Sequence, residues 1–401
     1  MHSEFRARYN AAYTEEMYQK QKALLEGRLG VEAGFRLAET PVFLTADLRQ
    51  RLVTAATEIL QQLMLPGKTE RMKRGIPERW HVPNMDHLPS LTQVDLAIVR
   101  DKDGTLVPKL IELQGFPSLS AFEPFQADAW LECLSEVPGI PAGLTPYFSG
   151  LTRDSFVELF KKVILGGRDP ENVILMDLEP EEQKTNIDFV ATKRLLGIDA
   201  VCPTEMTVEG RKLYRTKDGR RVPVERIYNR VVFDELIKKN LSIPFDFRDE
   251  FDVEWVPHPN WYWTWSKYSL PMLSHPAVPK AWYLSELPEI PVDLTENYVL
   301  KPLFSFAGGG VNVEPKKADI EKIPDSERSN WCLQEKIEYD PCIRAVDGGG
   351  VKFEIRMMFY RPDDTDHFTL GLNLCRLSRG KMLGVDFNKN FTWVGSSVAL
   401  G

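Results

Sequence analysis

The chain has 401 residues and a net charge of −8, with 43% apolar and 27% charged residues. That composition belongs to a globular chain able to bury a sizeable core, and the length predicts two or three subdomains. The acidic balance argues against nucleic acid as the main partner, because binding by counterion release needs a basic face. The start, MHSEFRARYNAAYTEE, has no apolar core of signal-peptide type, and no apolar run approaches membrane-spanning length. Five scattered cysteines (Cys133, Cys202, Cys332, Cys342, Cys375) form no CxxC pair, and the six histidines show no helical ligand spacing. Reduced thiols in a cytoplasmic protein without membrane partners are the expectation.

Residues 3–29 are charged and helix-favouring, with Phe5, Tyr9, Tyr13, Met17 and Leu24 on one face, which predicts a single amphipathic helix. A second helix is expected from an N-cap at Thr45 to the Pro66-Gly67 break. From Gln93 to Glu123 the pattern reads strand, Asp-Lys-Asp-Gly turn, strand, loop, helix. Strand alternation puts Asp95 and Ala97 on one face and pairs Glu112 with Gln114. If the turn at Lys102–Thr105 closes an antiparallel pair, Asp95 falls beside Glu112 and Gln114. Such an oxygen-rich grouping suits a hard cation such as Mg²⁺, although a strand ending in ordinary polar residues has the same pattern.

After the Pro/Gly-rich stretch from Pro138 to Pro146, a helix from Asp154 to Leu165 leads to a small α/β segment. Its parts are a buried strand VILMD, a helix from Thr185 to Leu196 and a hairpin at Lys217–Arg220, and a small parallel sheet is expected. Arg230 follows the strand Ile227-Tyr228-Asn229, where a site residue and a solvated charge are equally well placed. Residues 255–282 are rich in aromatics and proline. Trp255, Trp261, Trp263 and Trp265 could form a carbohydrate or nucleic-acid platform, but the interleaved prolines and aliphatics predict a packed connecting segment with buried rings.

The stretch from Glu296 to Val313, ENYVLKPLFSFAGGGVNV, predicts a hairpin whose first strand carries Lys301 and whose tip holds Gly308, Gly309 and Gly310. Glycines let backbone N–H groups approach an anion closely, and a lysine adds a compact charge for the same phosphates. A plain hairpin with a surface lysine has the same sequence signature. Further on, Glu354 and Arg356 share a face of the strand VKFEIRMMFY, and Arg376 closes the next strand.

In this order the elements resemble the ATP-grasp superfamily of carboxylate–amine ligases. YVLKP followed by FAGGGVNV is similar to that family's lysine-bearing strand and glycine lid, from Ser305 through Gly308, Gly309 and Gly310. LQEKIE is similar to its hinge strand, implying that Gln334, Glu335, Lys336 and Ile337 line the adenine. EIRMMF and CRLSRG resemble the strands whose arginines, here Arg356 and Arg376, act near the transferred phosphoryl, and Lys267 is similar in position to the second ATP-contacting lysine.

The usual D…ExN metal pattern has no room after Arg376, although Asp386 and Asn388 imitate part of it. It appears early instead, as Asp95, Glu112 and Gln114, the order of circularly permuted members. The resemblance is therefore closest to the glutathionylspermidine synthase-like group. Two residues depart from that pattern: Gln93 replaces its arginine, and Gln114 its asparagine.

The resemblance implies an α+β, circularly permuted ATP-grasp fold with an additional small α/β, pre-ATP-grasp-like subdomain. The expected division is 1–150 (helices and metal-ligand hairpin), 151–254 (substrate side), 255–290 (connection), 291–345 (lid) and 346–401 (core strands). It also implies ATP and Mg²⁺ as cofactors, and a small-molecule or peptide carboxylate and an amine as substrates. The reaction would make an amide through an acyl phosphate, with ADP and phosphate released.

Overall fold

The computed structural model describes residues 1–304, 309–381 and 388–401, and in it the chain is a mixed α+β protein. The N-terminal region forms two helices, α1 (Ser3–Ala12) and α2 (Glu15–Leu29), rather than the single helix expected. Tyr13 and Thr14 adopt extended backbone between them, and the Thr14 side chain accepts from Met17 N. A threonine before two glutamates is a strong N-cap, so the chain restarts a helix there instead of continuing one. Helix α3 (Ala46–Leu63) begins after Thr45, whose Oγ1 accepts from Leu48 N.

The main sheet has six strands among the described residues. It begins with β1 (Leu91–Arg100) and the edge strand β2 (Leu106–Gln114), the expected hairpin closed by the 101–105 turn. A small sheet follows, made of β3 (Val173–Met176), β4 (Asp199–Val201), β5 (Arg226–Asn229) and β6 (Glu254–Val256). Its order is β6–β5–β3–β4 and every pairing is parallel, as the strand–helix–strand pattern requires. Next come the antiparallel strands β7 (Ala281–Tyr283), β8 (Tyr298–Pro302) and β9 (Trp331–Glu335), with β9 central. The chain then returns to the main sheet as β10 (Gly350–Tyr360), β11 (Thr369–Ser378) and β12 (Gly395–Ser397). The resulting order is β12–β11–β10–β1–β2, with β10 antiparallel to β1 and the short sixth strand, Ile343–Arg344, paired with β10 off that path.

Alternation gives the main sheet two different faces. Val94, Leu96, Ile98, Ile355 and Met357 pack with the α3 stripe Leu52, Ala56, Ile59 and Leu63 in one large core. The opposite face is apolar only at one end. There Leu91, Met358, Tyr360, Leu372 and Leu374 meet α4 (Phe122–Leu134), α5 (Arg153–Leu165) and α6 (Asn186–Leu196). The other end of that face carries charge.

The tryptophan platform does not form. Trp261, Trp263 and Trp265 are buried, and Trp255 is half-buried. The Trp261 and Trp265 rings meet at 69°, an edge-on packing arrangement, where a binding surface would need coplanar rings. The segment closes the outer edge of β2: Gly115 N donates to Trp265 O (2.6 Å) and Leu110 N to Ala277 O (2.7 Å). An edge strand that would otherwise expose its hydrogen-bonding groups is thereby covered.

Candidate active site

The charged end of the sheet is a row of residues on adjacent strands. Asp95 on β1 stands opposite Arg356 on β10 and Glu112 on β2, and Glu354 stands opposite Arg376 on β11. The pairing of β1 with β2 slips by one residue after Asp95, leaving Ile111 as an extra residue. That bulge turns Glu112 and Gln114 to the charged face, while Leu110 stays in the core on the other.

Arg356 grips Asp95 with both ends of its fork, Nε to Oδ1 and Nη2 to Oδ2, each at 2.7 Å. Arg376 Nη2 donates to Asp95 Oδ2 at 2.9 Å and also binds Glu354. The Gln114 amide donates to Glu112 Oε1 (2.8 Å) and lies 3.5 Å from Asp95 Oδ2. Lys267 Nζ is 3.4 Å from Glu112 Oε2, brought there by the segment that covers β2. Lys301, on β8, donates to Gln334 Oε1 (2.5 Å) on β9 and to the carbonyl of the bulged Ile111 (3.2 Å).

Four cations, Lys267, Lys301, Arg356 and Arg376, thus face three carboxylates, Asp95, Glu112 and Glu354. Burial pushes Glu112 up, but Lys267, Arg376, the Gln114 amide and Arg356 outweigh it and hold the carboxyl below its usual range. Burial raises Glu354 despite Arg376, with Asp95 and Glu112 adding to the rise. Lys301 is shifted down, chiefly by burial. A largely buried cluster with surplus positive charge, open at Arg376, is a receptor for an anion.

Asp95, Glu112 and Gln114 lie together, but both Asp95 oxygens bond guanidinium groups. Among the described residues no group of three or more His, Cys, Asp or Glu side chains is arranged to hold a metal. One atom does call for a ligand: Gln114 Oε1 is buried with no hydrogen-bond partner. The donor set therefore fits Mg²⁺ arriving with an anion that occupies the arginines, and does not fit a bare cation. In the other grouping, Asn388 Oδ1 already accepts from Ser378 Oγ, Arg379 N and Gly380 N, each at 3.0 Å. Its companion Asp386 lies outside the described residues.

Of the glycine lid, Ser305 and Gly308 also lie outside the described residues, and Gly309 and Gly310 are exposed. The hairpin closes as one antiparallel bridge, Leu300 to Asn312, not as two full strands. Gly310 has φ +73°, a left-handed turn conformation that glycine adopts without strain. Gln334 is buried beneath Lys301. Glu335 N and Lys336 N donate to Lys280 O and Asn297 O (2.9 and 2.8 Å), and β9 ends before Ile337.

The sequence reading left three site features unassigned. Glu354 stands on the face of Arg356, a position alternation alone reveals. Tyr339 donates to Glu354 Oε2 (3.0 Å), and Tyr262, Trp265 and Phe304 wall the cleft beside Glu112 and Lys267; neither has a sequence signal. Arg230 is held instead by Asp188 under the sheet and is buried.

No family model matches the sequence, and no curated protein matches it. Among the described residues no helix is long and apolar enough to cross a membrane. Among solved structures, the chain is similar to a glutathione synthetase-like effector from Globodera pallida in its apo form. The TM-score is 0.60 at 13% identity, and the alignment covers 96% of each chain. At that identity the likeness is one of fold: an α+β arrangement resembling the ATP-grasp, glutathione synthetase-like type, spread over nearly the whole chain.

Proposed function

We propose that this protein is an ATP-dependent carboxylate–amine ligase, ADP-forming, on a circularly permuted ATP-grasp fold of glutathionylspermidine synthase-like type. The observation that carries the reading is the surplus of cations gathered at one face of the main sheet, the buried Lys267, Lys301 and Arg356 and the half-buried Arg376, around Asp95 and Glu112. The permutation draws support from β1 and β2, which precede both lysines in sequence yet lie beside the arginine strand β10.

In this reading Lys267 and Lys301 hold the phosphate chain, and Ser305, Gly308, Gly309 and Gly310 cover it. Gln334, Glu335, Lys336 and Ile337 border the adenine. Asp95, Glu112 and Gln114 would hold Mg²⁺, which would supply charge neutralisation for the phosphates. A carboxylate is a poor acyl donor because oxide is a poor leaving group, and phosphorylation supplies a better one. Arg356 and Arg376 stabilise charge on the transferred phosphoryl group and on the tetrahedral intermediate formed when the amine attacks. The aromatic-walled cleft beside Glu112 and Lys267 limits the access of water to the acyl phosphate.

Isothermal titration with Mg-ATP tests the nucleotide site. Wild type is expected to bind, and Lys301→Ala to bind about 100-fold more weakly, roughly 2.7 kcal/mol. No binding by wild type, or unchanged binding by the variant, sinks the site. The second reading is a nucleotide-binding protein without ligase activity. Its support is Gln93, which stands where the family pattern has an arginine and donates its amide to Ser118 O (3.1 Å). ADP release on adding pooled amino acids, peptides and polyamines argues for the ligase; Mg-ATP binding without it argues for the second reading.

A further inference from the structure

The first turn of α4 carries Glu123, which is 0% exposed, and neither of its carboxylate oxygens has a hydrogen-bond partner. One helical turn on, Gln126 is also 0% exposed, and its Oε1 has none either. Residues three apart lie on one helix face, so three orphaned acceptors are grouped there. Buried acceptors in folded proteins are almost always satisfied, so a grouped set needs an explanation.

Helix capping does not supply one. The N–H groups of Leu119, Ala121 and Phe122 at the start of α4 already donate to the carboxylate of Asp188, at 3.1, 3.0 and 3.0 Å. Glu123 is therefore not needed to satisfy the helix end. Its position points elsewhere. The Gln126 amide donates weakly to Ser396 O (3.5 Å), and Ser396 is the cross-strand partner of Arg376. Arg356 is near enough to lower the Glu123 carboxyl, which burial and Asp188 together push well above its usual range. Gln126 thus bonds the strand beside Arg376, and Glu123 lies within electrostatic reach of Arg356.

We infer that Glu123, with Gln126, is the binding site for the ammonium group of the amine substrate. An ammonium carries one positive charge and three donors; its arrival would favour the ionised form of Glu123, whose two oxygens together with Gln126 Oε1 then offer three acceptors. Held there, the amine lies next to Arg356 and Arg376, where the acyl group is expected. The inference rests on the ligase reading for the identity of the ligand, but the site can be tested without turnover.

The test follows the unfolding midpoint of wild type, Glu123→Gln and Glu123→Met. The probes are methylammonium and glycinamide, with tetramethylammonium, which cannot donate, at equal ionic strength. Wild type is expected to melt higher with the two donors and not with tetramethylammonium. Both variants are expected to lose that response, and Glu123→Met, which removes the unmatched buried polar group, to melt above wild type without any ligand. A variant that melts lower with its amine response intact overturns the assignment. So does a wild type without an amine response that still responds to Mg-ATP. Failure of the ligase reading has a different signature: no Mg-ATP response with the amine response preserved.

Discussion

Asp188 and Asp95 are both fully buried aspartates gripped by guanidinium groups, yet their surroundings differ in how the charges close. Asp188 binds one arginine, Arg230, and fills its remaining acceptor capacity with three backbone N–H groups. Phe116 and Phe189 flank that guanidinium at 5.7 and 5.1 Å. One charge meets one charge, and the pair ties the start of α4 to the end of β5. Asp95 is shared by Arg356 and Arg376, one of which is also claimed by Glu354, with two lysines close by. There positive charge is left over, and Gln114 Oε1 has no partner. A balanced charge pair marks a structural tie, even with Arg230 Nε left without a partner; surplus charge marks a site waiting for a ligand.

That contrast can be broken most sharply at Asp188. Replacing it by alanine leaves a buried guanidinium unpaired and three helix-end donors empty. Asp188→Ala is expected to lose about 3–5 kcal/mol in urea unfolding. A midpoint near that of wild type would mean the two assemblies are not different in kind.

A smaller effect is expected at Glu112, and it is conditional on pH. Its carboxyl is depressed in the folded state, burial being outweighed by Lys267, Arg376, the Gln114 amide and Arg356. The unfolded state then binds the proton more readily. The stabilisation is present above the ordinary glutamate value of 4.5 and is lost as pH falls through the lower, folded value. Each unit of depression corresponds to about 1.4 kcal/mol. Compared with wild type, Glu112→Gln is expected to lose less stability between pH 5 and pH 2 (about that span, set by the depressed carboxyl). Parallel acid curves for the two proteins would remove the cations from the account of Glu112.

Much of this site is legible in the sequence because strands and turns advertise themselves locally. Alternation places Arg356 with Glu354, and the Asp101–Thr105 turn fixes the hairpin that sets Asp95 opposite Glu112. Lys301 stands out as a cation in an apolar run before glycines. What is not legible depends on contacts between distant segments. Nothing in IELQ announces the bulge at Ile111, which arises from the pairing of β2 with β1. The 42-residue separation of Asp188 and Arg230 hides an ion pair that made Arg230 look like a strand-end site residue. Two helices replace one at the N-terminus because a local cap at Thr14 overrides the amphipathic period.

Lys301 sharpens the comparison with the smallest expected change in stability. It is buried, and burial shifts its ammonium group down despite Cys332 and Glu112. For a cation with a depressed folded-state value, the unfolded chain binds the proton better over the interval below 10.5. The ion is therefore a cost to the fold at neutral pH, relieved as pH rises through the folded value. Methionine at this position removes the cost but leaves Gln334 Oε1 and the Ile111 carbonyl without their donor, a loss of about 1–3 kcal/mol. The two terms oppose each other, so Lys301→Met is expected to unfold within about 1 kcal/mol of wild type, unlike Asp188→Ala. Its Mg-ATP-dependent rise in unfolding midpoint should nevertheless vanish, because no cation remains on β8 to meet the phosphates. A variant that is several kcal/mol less stable would place Lys301 with Arg230, as part of the scaffold. One that keeps the Mg-ATP response would move the phosphate chain away from β8 altogether.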